Sequence, residues 1–65
     1  MSHTKPVGVI GLGLIGTSLA QRMLHAGFQV AGYDIAADRR DHLARIGGIA
    51  LASAKEVAQR CNTLV

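Results

Sequence analysis

Tryptophan is absent from this chain, and cysteine, proline, tyrosine and phenylalanine occur once each. Each shortage excludes something. A lone Cys61 has no partner within these 65 residues for a disulfide and no cysteine cluster for a metal. That fits a reducing compartment, so a cytoplasmic protein without a metal site is expected. With so few aromatics there is no alternation of rings and basic residues on which bases would stack, and no nucleic-acid partner is expected. The basic residues Lys5, Arg22, Arg39, Arg40, Arg45, Lys55 and Arg60 are interleaved with Asp34, Asp38, Asp41 and Glu56, so the net charge of +3 is not gathered into a block. The stretch Val7–Ala20, VGVIGLGLIGTSLA, carries no charge, but it is shorter than the ~20 apolar residues that span a bilayer. Its glycines, Gly8, Gly11, Gly13 and Gly16, also weaken the helical core a secretion signal needs. Neither a membrane nor a secretion role is expected.

What is present is a hydrophobic fraction of 49%, mostly aliphatic, which argues for a folded core and against disorder. Eight glycines against one proline indicate tight turns more than linkers. Length allows one small domain at most, and a chain this short buries only about 60% of its unfolded surface.

The hydrophobic pattern changes period along the chain. Val7-Gly8-Val9-Ile10 is a short apolar run bounded by glycine, as in a buried strand. After Gly13, Ile15, Leu19 and Met23 recur four apart, with Leu24 beside them, which predicts a helix with that face inward. Gly27 stands where such a helix would end, and Phe28–Tyr33 reads as a second strand running to Asp34. Asp38–Ile46 is a second helix, with Leu43 and Ile46 on one face, an Asp41–Arg45 pair four apart, and Gly47-Gly48 ending it. Ile49–Leu51 is a third strand. Ser53-Ala54-Lys55-Glu56 has the form of a capping box, opening a helix to about Cys61 with Val57 and Cys61 inward. Thr63-Leu64-Val65 begins a fourth strand, too short to keep the first from being an apolar edge. The alternation predicts an α/β fold with an incomplete parallel sheet of the Rossmann type.

Gly11-Leu12-Gly13-Leu14-Ile15-Gly16 is G-x-G-x-x-G, placed between a predicted strand and a predicted helix within a βαβ unit of roughly 30 residues. In that context Gly11 permits the tight turn, Gly13 lets the backbone approach a pyrophosphate, and Gly16 lets helix and strand pack closely. The unpaired N–H groups at the helix start then face the phosphates. Asp34 lies 18 residues after Gly16, at the end of the second strand, where a carboxylate accepts from the hydroxyls of an adenosine ribose and repels a 2′-phosphate. NAD is expected over NADP. Arg39 and Arg40 are expected as solvated helix residues, although one of them would be within range of a 2′-phosphate. A phosphate-loop NTPase is excluded because Thr17 stands where that motif needs lysine. His3, His25 and His42 are expected to be exposed, Cys61 to be core, and Tyr33 to pack beside the cofactor edge.

The segments GVIGLGLIGTSLAQRMLHAGFQVAGYD and LARIGGIALASAKEVAQRC resemble the N-terminal region of the β-hydroxyacid dehydrogenases, the group that holds 3-hydroxyisobutyrate dehydrogenase, tartronate semialdehyde reductase and 6-phosphogluconate dehydrogenase. The resemblance covers nearly the whole chain from Val7. It implies that Gly11, Leu12, Gly13, Leu14, Ile15 and Gly16 wrap the pyrophosphate and that Asp34 holds the adenosine ribose. Relatives with Asn-Arg at the end of the second strand prefer NADP, so Asp34-Ile35 implies NAD. It also implies that residues 1–65 are the N-terminal part of a dinucleotide-binding domain. The remaining strands, a helical substrate domain and a catalytic lysine would lie beyond Val65. Neither Lys5 nor Lys55 matches that lysine, so no catalytic residue is assigned. The intact parent would move hydride to or from a small hydroxy acid and would pair with itself. The first segment is also similar to prephenate dehydrogenases, and a non-catalytic NAD-sensing module is the alternative of a different class.

Overall fold

Helices and strands alternate along the chain of the computed structural model, which describes residues 5–65. In chain order they are β1 (Val7–Ile10), α1 (Leu14–His25), β2 (Val30–Tyr33), α2 (Ala37–Arg45), β3 (Ile49–Ala50), α3 (Ala54–Arg60) and β4 (Thr63–Leu64). His3 lies outside the described residues. The strands form one parallel sheet in the order β3-β2-β1-β4. Val7 to Ile10 pair with Val30 to Tyr33, and Val7 and Gly8 pair with Thr63 and Leu64.

Side chains alternate across this sheet and feed a core on each face. Val9 and Val30 join Leu12, Ala20 and Leu43 under α1 and α2. Ala31 joins Leu51, Val57 and Cys61 under α3. The inward direction expected of Leu43, Val57 and Cys61 is therefore observed.

Four expectations need correction. β1 is not an edge: two residues of β4 are enough to cover it, reinforced by the Val65 N–H donating to the Gly8 carbonyl at 2.8 Å. Ile15 does not face inward and is 83% exposed, because α1 seats its neighbouring stripe, Gly16 and Ala20, against β1. Small residues there let the helix axis come close, and Met23 and Leu24 complete the contact. Phe28 is not in β2. Its N–H closes α1 by donating to the Met23 carbonyl while Gly27, at φ 97°, donates to Leu24, a Schellman ending that delays the strand. Asp41 and Arg45 form no ion pair; the one ion pair among the described residues joins Arg39 to Asp34.

The capping segment is close to expectation. Ser53 Oγ accepts from the Glu56 N–H at 3.1 Å, while Glu56 Oε1 accepts from the N–H of Ala52, one residue before the cap. Ser53→Ala is expected to lower the unfolding free energy in urea by about 1 kcal/mol, the usual value of such a cap. An unchanged denaturation midpoint would mean that α3 is held by Val57 alone. No helix among the described residues is long and apolar enough to cross a membrane.

Candidate functional site

The sheet order brings the ends of β1 and β2 together beside the point where the chain crosses from one side of β1 to the other. In open α/β sheets such a reversal leaves a crevice at the carboxyl ends of the strands. Here the crevice is a cleft of about 660 Å3, lined by Gly11, Gly13, Leu14, Ile15, Asp34 and Arg39 among others. Gly16 and Val65 also border it. Five of the six loop residues singled out in the sequence thus meet Asp34 at one opening.

Each loop residue has a local reason for its place. Gly11 stands at φ 96°, a left-handed conformation that side chains disfavour, and its N–H donates to the Tyr33 carbonyl at 2.9 Å. That bond fastens the turn to the end of β2. Gly13 caps α1 in extended conformation with no side-chain partner, and no acidic residue sits in the first turn. Thr17 closes the turn from inside, its hydroxyl donating to the Leu12 carbonyl at 3.0 Å and its N–H to the Gly13 carbonyl at 2.8 Å. The start of α1 therefore offers a positive helix end to the cleft with no anion of its own to neutralise it.

Leu12 differs from its neighbours. Its side chain is 1% exposed in the core, and its N–H donates to Asp34 Oδ2 at 2.7 Å. Neither group faces the cleft, so Leu12 contributes through its hold on Asp34.

Asp34 is 8% exposed and doubly tethered. Oδ2 accepts from Leu12 and Oδ1 from the Ala36 N–H at 2.8 Å, a turn in which the side chain bonds two residues ahead. The Ala36 and Leu12 N–H groups hold this carboxyl below its usual range, with Arg39 adding to the effect and burial opposing it. Arg39 Nη1 lies 3.7 Å from Oδ2 on a side chain that is 54% exposed. One lone pair on each carboxylate oxygen is left for a further donor.

Arg40 is the residue the sequence did not reveal. Expected in solvent, it reaches back across the turn, its Nη1 2.7 Å from the Asp34 carbonyl oxygen and 3.2 Å from that of Ile35. Its guanidinium carbon lies 5.7 Å from the centre of the half-buried Tyr33 ring. His42, expected to be exposed, is half-buried and lines a smaller cleft with Thr17, Arg39 and Arg45, whereas His25 is exposed at the far end of α1. No group of three metal-ligating side chains occurs among the described residues. Burial pushes the Cys61 thiol up, against the opposing charges of Arg60 and Lys5, so it stays protonated in the core.

The sequence profile of the NAD binding domain of 6-phosphogluconate dehydrogenase matches residues 6–65. The chain belongs to that family. A nicotinamide dinucleotide is accordingly the partner of this NAD binding domain, whose fingerprint loop and β2 carboxylate are the parts gathered at the cleft. Among curated proteins it is 37% identical over 62 residues to an L-threonate dehydrogenase of Cupriavidus necator, covering 95% of this chain and 21% of the relative. Its fold is similar to that of an imine reductase from a Pseudomonas species, with a TM-score of 0.87 and 29% identity, over 95% of this chain and 22% of that one. A solved structure from Pseudomonas putida matches with the same TM-score, 0.87, at 30% identity, covering 98% of this chain and 22% of the other. The chain thus spans about one-fifth of the length of the oxidoreductases it matches.

Proposed function

We propose that residues 1–65 are the N-terminal part of the dinucleotide-binding domain of an NAD-dependent oxidoreductase that transfers hydride between the cofactor and a small β-hydroxy acid. The observation that carries the reading is the pairing of an anion-free helix start, behind Gly11 to Gly16, with an ionised Asp34 at the end of β2. The first suits a pyrophosphate, approached closely at Gly13. The second suits the two hydroxyls of an unphosphorylated ribose and opposes a 2′-phosphate, which supports NAD over NADP. The domain's task in this reading is to bind and orient the cofactor, and none of its described residues is given an acid–base role. A small hydroxy acid as substrate is supported by the likeness to an L-threonate dehydrogenase. A homo-oligomeric parent in the cytoplasm completes the proposal.

The test is to follow NADH absorbance with the protein at its natural length, offering L-threonate and other small β-hydroxy acids with NAD or NADP. Turnover with at least one hydroxy acid, faster with NAD by about tenfold or more, is the expected result. Turnover of a cyclic imine in place of every hydroxy acid would move the substrate class towards that of the similar imine reductase. Tight NAD binding without any turnover would leave a sensing module.

A further inference from the structure

We infer that Arg40 is the positioning residue of the adenosine end of this site, acting by gripping the main chain that leaves Asp34, at the Asp34 and Ile35 carbonyls. The inference rests on the reading of Asp34 as the acceptor of the ribose hydroxyls.

Arg39 and Arg40 are adjacent in α2, yet their surroundings differ. Arg39 is mostly exposed and stands 3.7 Å from the carboxylate, too far for a good hydrogen bond. Arg40 is half-buried and makes its contacts with the backbone. One nitrogen, Nη1, serves the carbonyls of Asp34 and Ile35 together, and the Tyr33 ring supports the guanidinium. A single side chain thus touches three consecutive residues, Tyr33, Asp34 and Ile35.

The β2–α2 turn needs such a grip. It carries no proline to stiffen it, and Ile35 at its crest is 87% exposed with no packing to hold it. Without Arg40 the Asp34 and Ile35 carbonyls would answer only to solvent, and the bond from the Ala36 N–H to Oδ1 would have to restrain the peptide planes of the turn unaided. Rotation there carries the Ala36 N–H away from Oδ1. Since each carboxylate oxygen already accepts one N–H, only one lone pair on each remains to meet a ribose hydroxyl. Two narrow acceptor directions must be held together, and they share the backbone that Arg40 fixes. Charge alone would not provide this; two carbonyls in the reach of one planar, ring-supported group do.

The experiment uses the protein at its natural length and two probes, ADP and 2′,3′-dideoxy-ADP, which lacks the hydroxyls. Dissociation constants are measured by calorimetry for the parent, Arg40→Gln and Arg40→Lys. Arg40→Gln is expected to weaken ADP about five- to tenfold. Its affinity for the dideoxy probe should stay within about twofold, and Arg40→Lys should recover part of the loss. Equal losses on both probes, or no loss on either, would overturn the inference and leave the ribose assignment standing. A parent that binds both probes equally would remove the ribose assignment and the inference with it. Should Arg40→Gln fail to fold, Tyr33→Leu carries the same comparison without touching a hydrogen bond. A loss of about two- to threefold confined to ADP supports the inference, and an equal or absent loss overturns it.

Discussion

Gly16→Ala is expected to weaken NADH binding by about a hundredfold or more and to destabilise the domain by about 1–3 kcal/mol. A Cβ at Gly16 would land on the carbonyl oxygen of Gly11, with the Gly11 carbonyl carbon 3.2 Å and Val9 Cγ1 3.6 Å away. Helix propensity works in the other direction, since alanine is better than glycine inside a helix by about 1 kcal/mol. The overlap decides the sign because its partner is backbone that has nowhere to go. Gly11 is fastened to Tyr33 at 2.9 Å, and Thr17 holds the Leu12 and Gly13 carbonyls from the other side. Relief therefore requires the start of α1 to move off β1, taking with it the N–H groups that face the cleft. Urea denaturation and a fluorescence titration with NADH read the two effects separately. A variant that keeps both midpoint and affinity would show that the loop and α1 separate without consequence.

The same close approach explains where the sequence was legible and where it was not. Strands and helices were readable because short apolar runs bounded by glycine alternate with helical periods. Gly47 ends α2 as expected, its N–H donating to Ala44 while Gly48 donates to Leu43. Along α1, however, two stripes lie side by side, Ile15-Leu19-Met23 and Gly16-Ala20-Leu24, and hydrophobicity favours the first. Packing favours the second at the start of α1, because a helix that leaves a strand through a glycine turn starts almost on top of it. In the last turns Met23 and Leu24 both pack on the core, as the periodicity predicts. Ile15 and Leu14 are left exposed at the cleft, a placement that hydrophobic periodicity has no means to encode. Asp34 was legible from its position alone. Its double tether was not, because Leu12 is 22 residues away and becomes a neighbour only when β1 and β2 pair. Arg40 gave still less warning: a basic residue in the first half of an exposed helix looks the same whether it ends in water or on a carbonyl.

Asp34→Ala is expected to lower NADH affinity by about a hundredfold and to blunt the preference for NADH over NADPH. Two consequences of the one substitution have to be kept apart. The side chain accepts from Leu12 and Ala36, so its removal leaves two N–H groups of the loop and the turn without their partners, and stability falls as well as affinity. Asp34→Asn separates them. The amide keeps one acceptor oxygen but sets its NH2 against the other N–H donor, so it repairs at most one tether while removing the negative charge. If the charge is what excludes a 2′-phosphate, Asp34→Asn should gain in NADPH affinity relative to NADH even where it is less stable. Proportional loss for both cofactors would reduce Asp34 to a turn residue. The pH dependence gives a second reading of the same group. Its folded pKa lies below the ordinary value, so the stability it contributes is present in full above the ordinary carboxylate value of the unfolded chain and is lost as pH falls through the lower folded one. Between pH 5 and 8 the carboxylate stays ionised, and neither stability nor the cofactor preference should change on its account. The acid limb of the parent's stability curve should therefore lose a component in Asp34→Asn, and a curve of unchanged shape would mean that the tethers to Leu12 and Ala36 do not hold the carboxylate in its charged form.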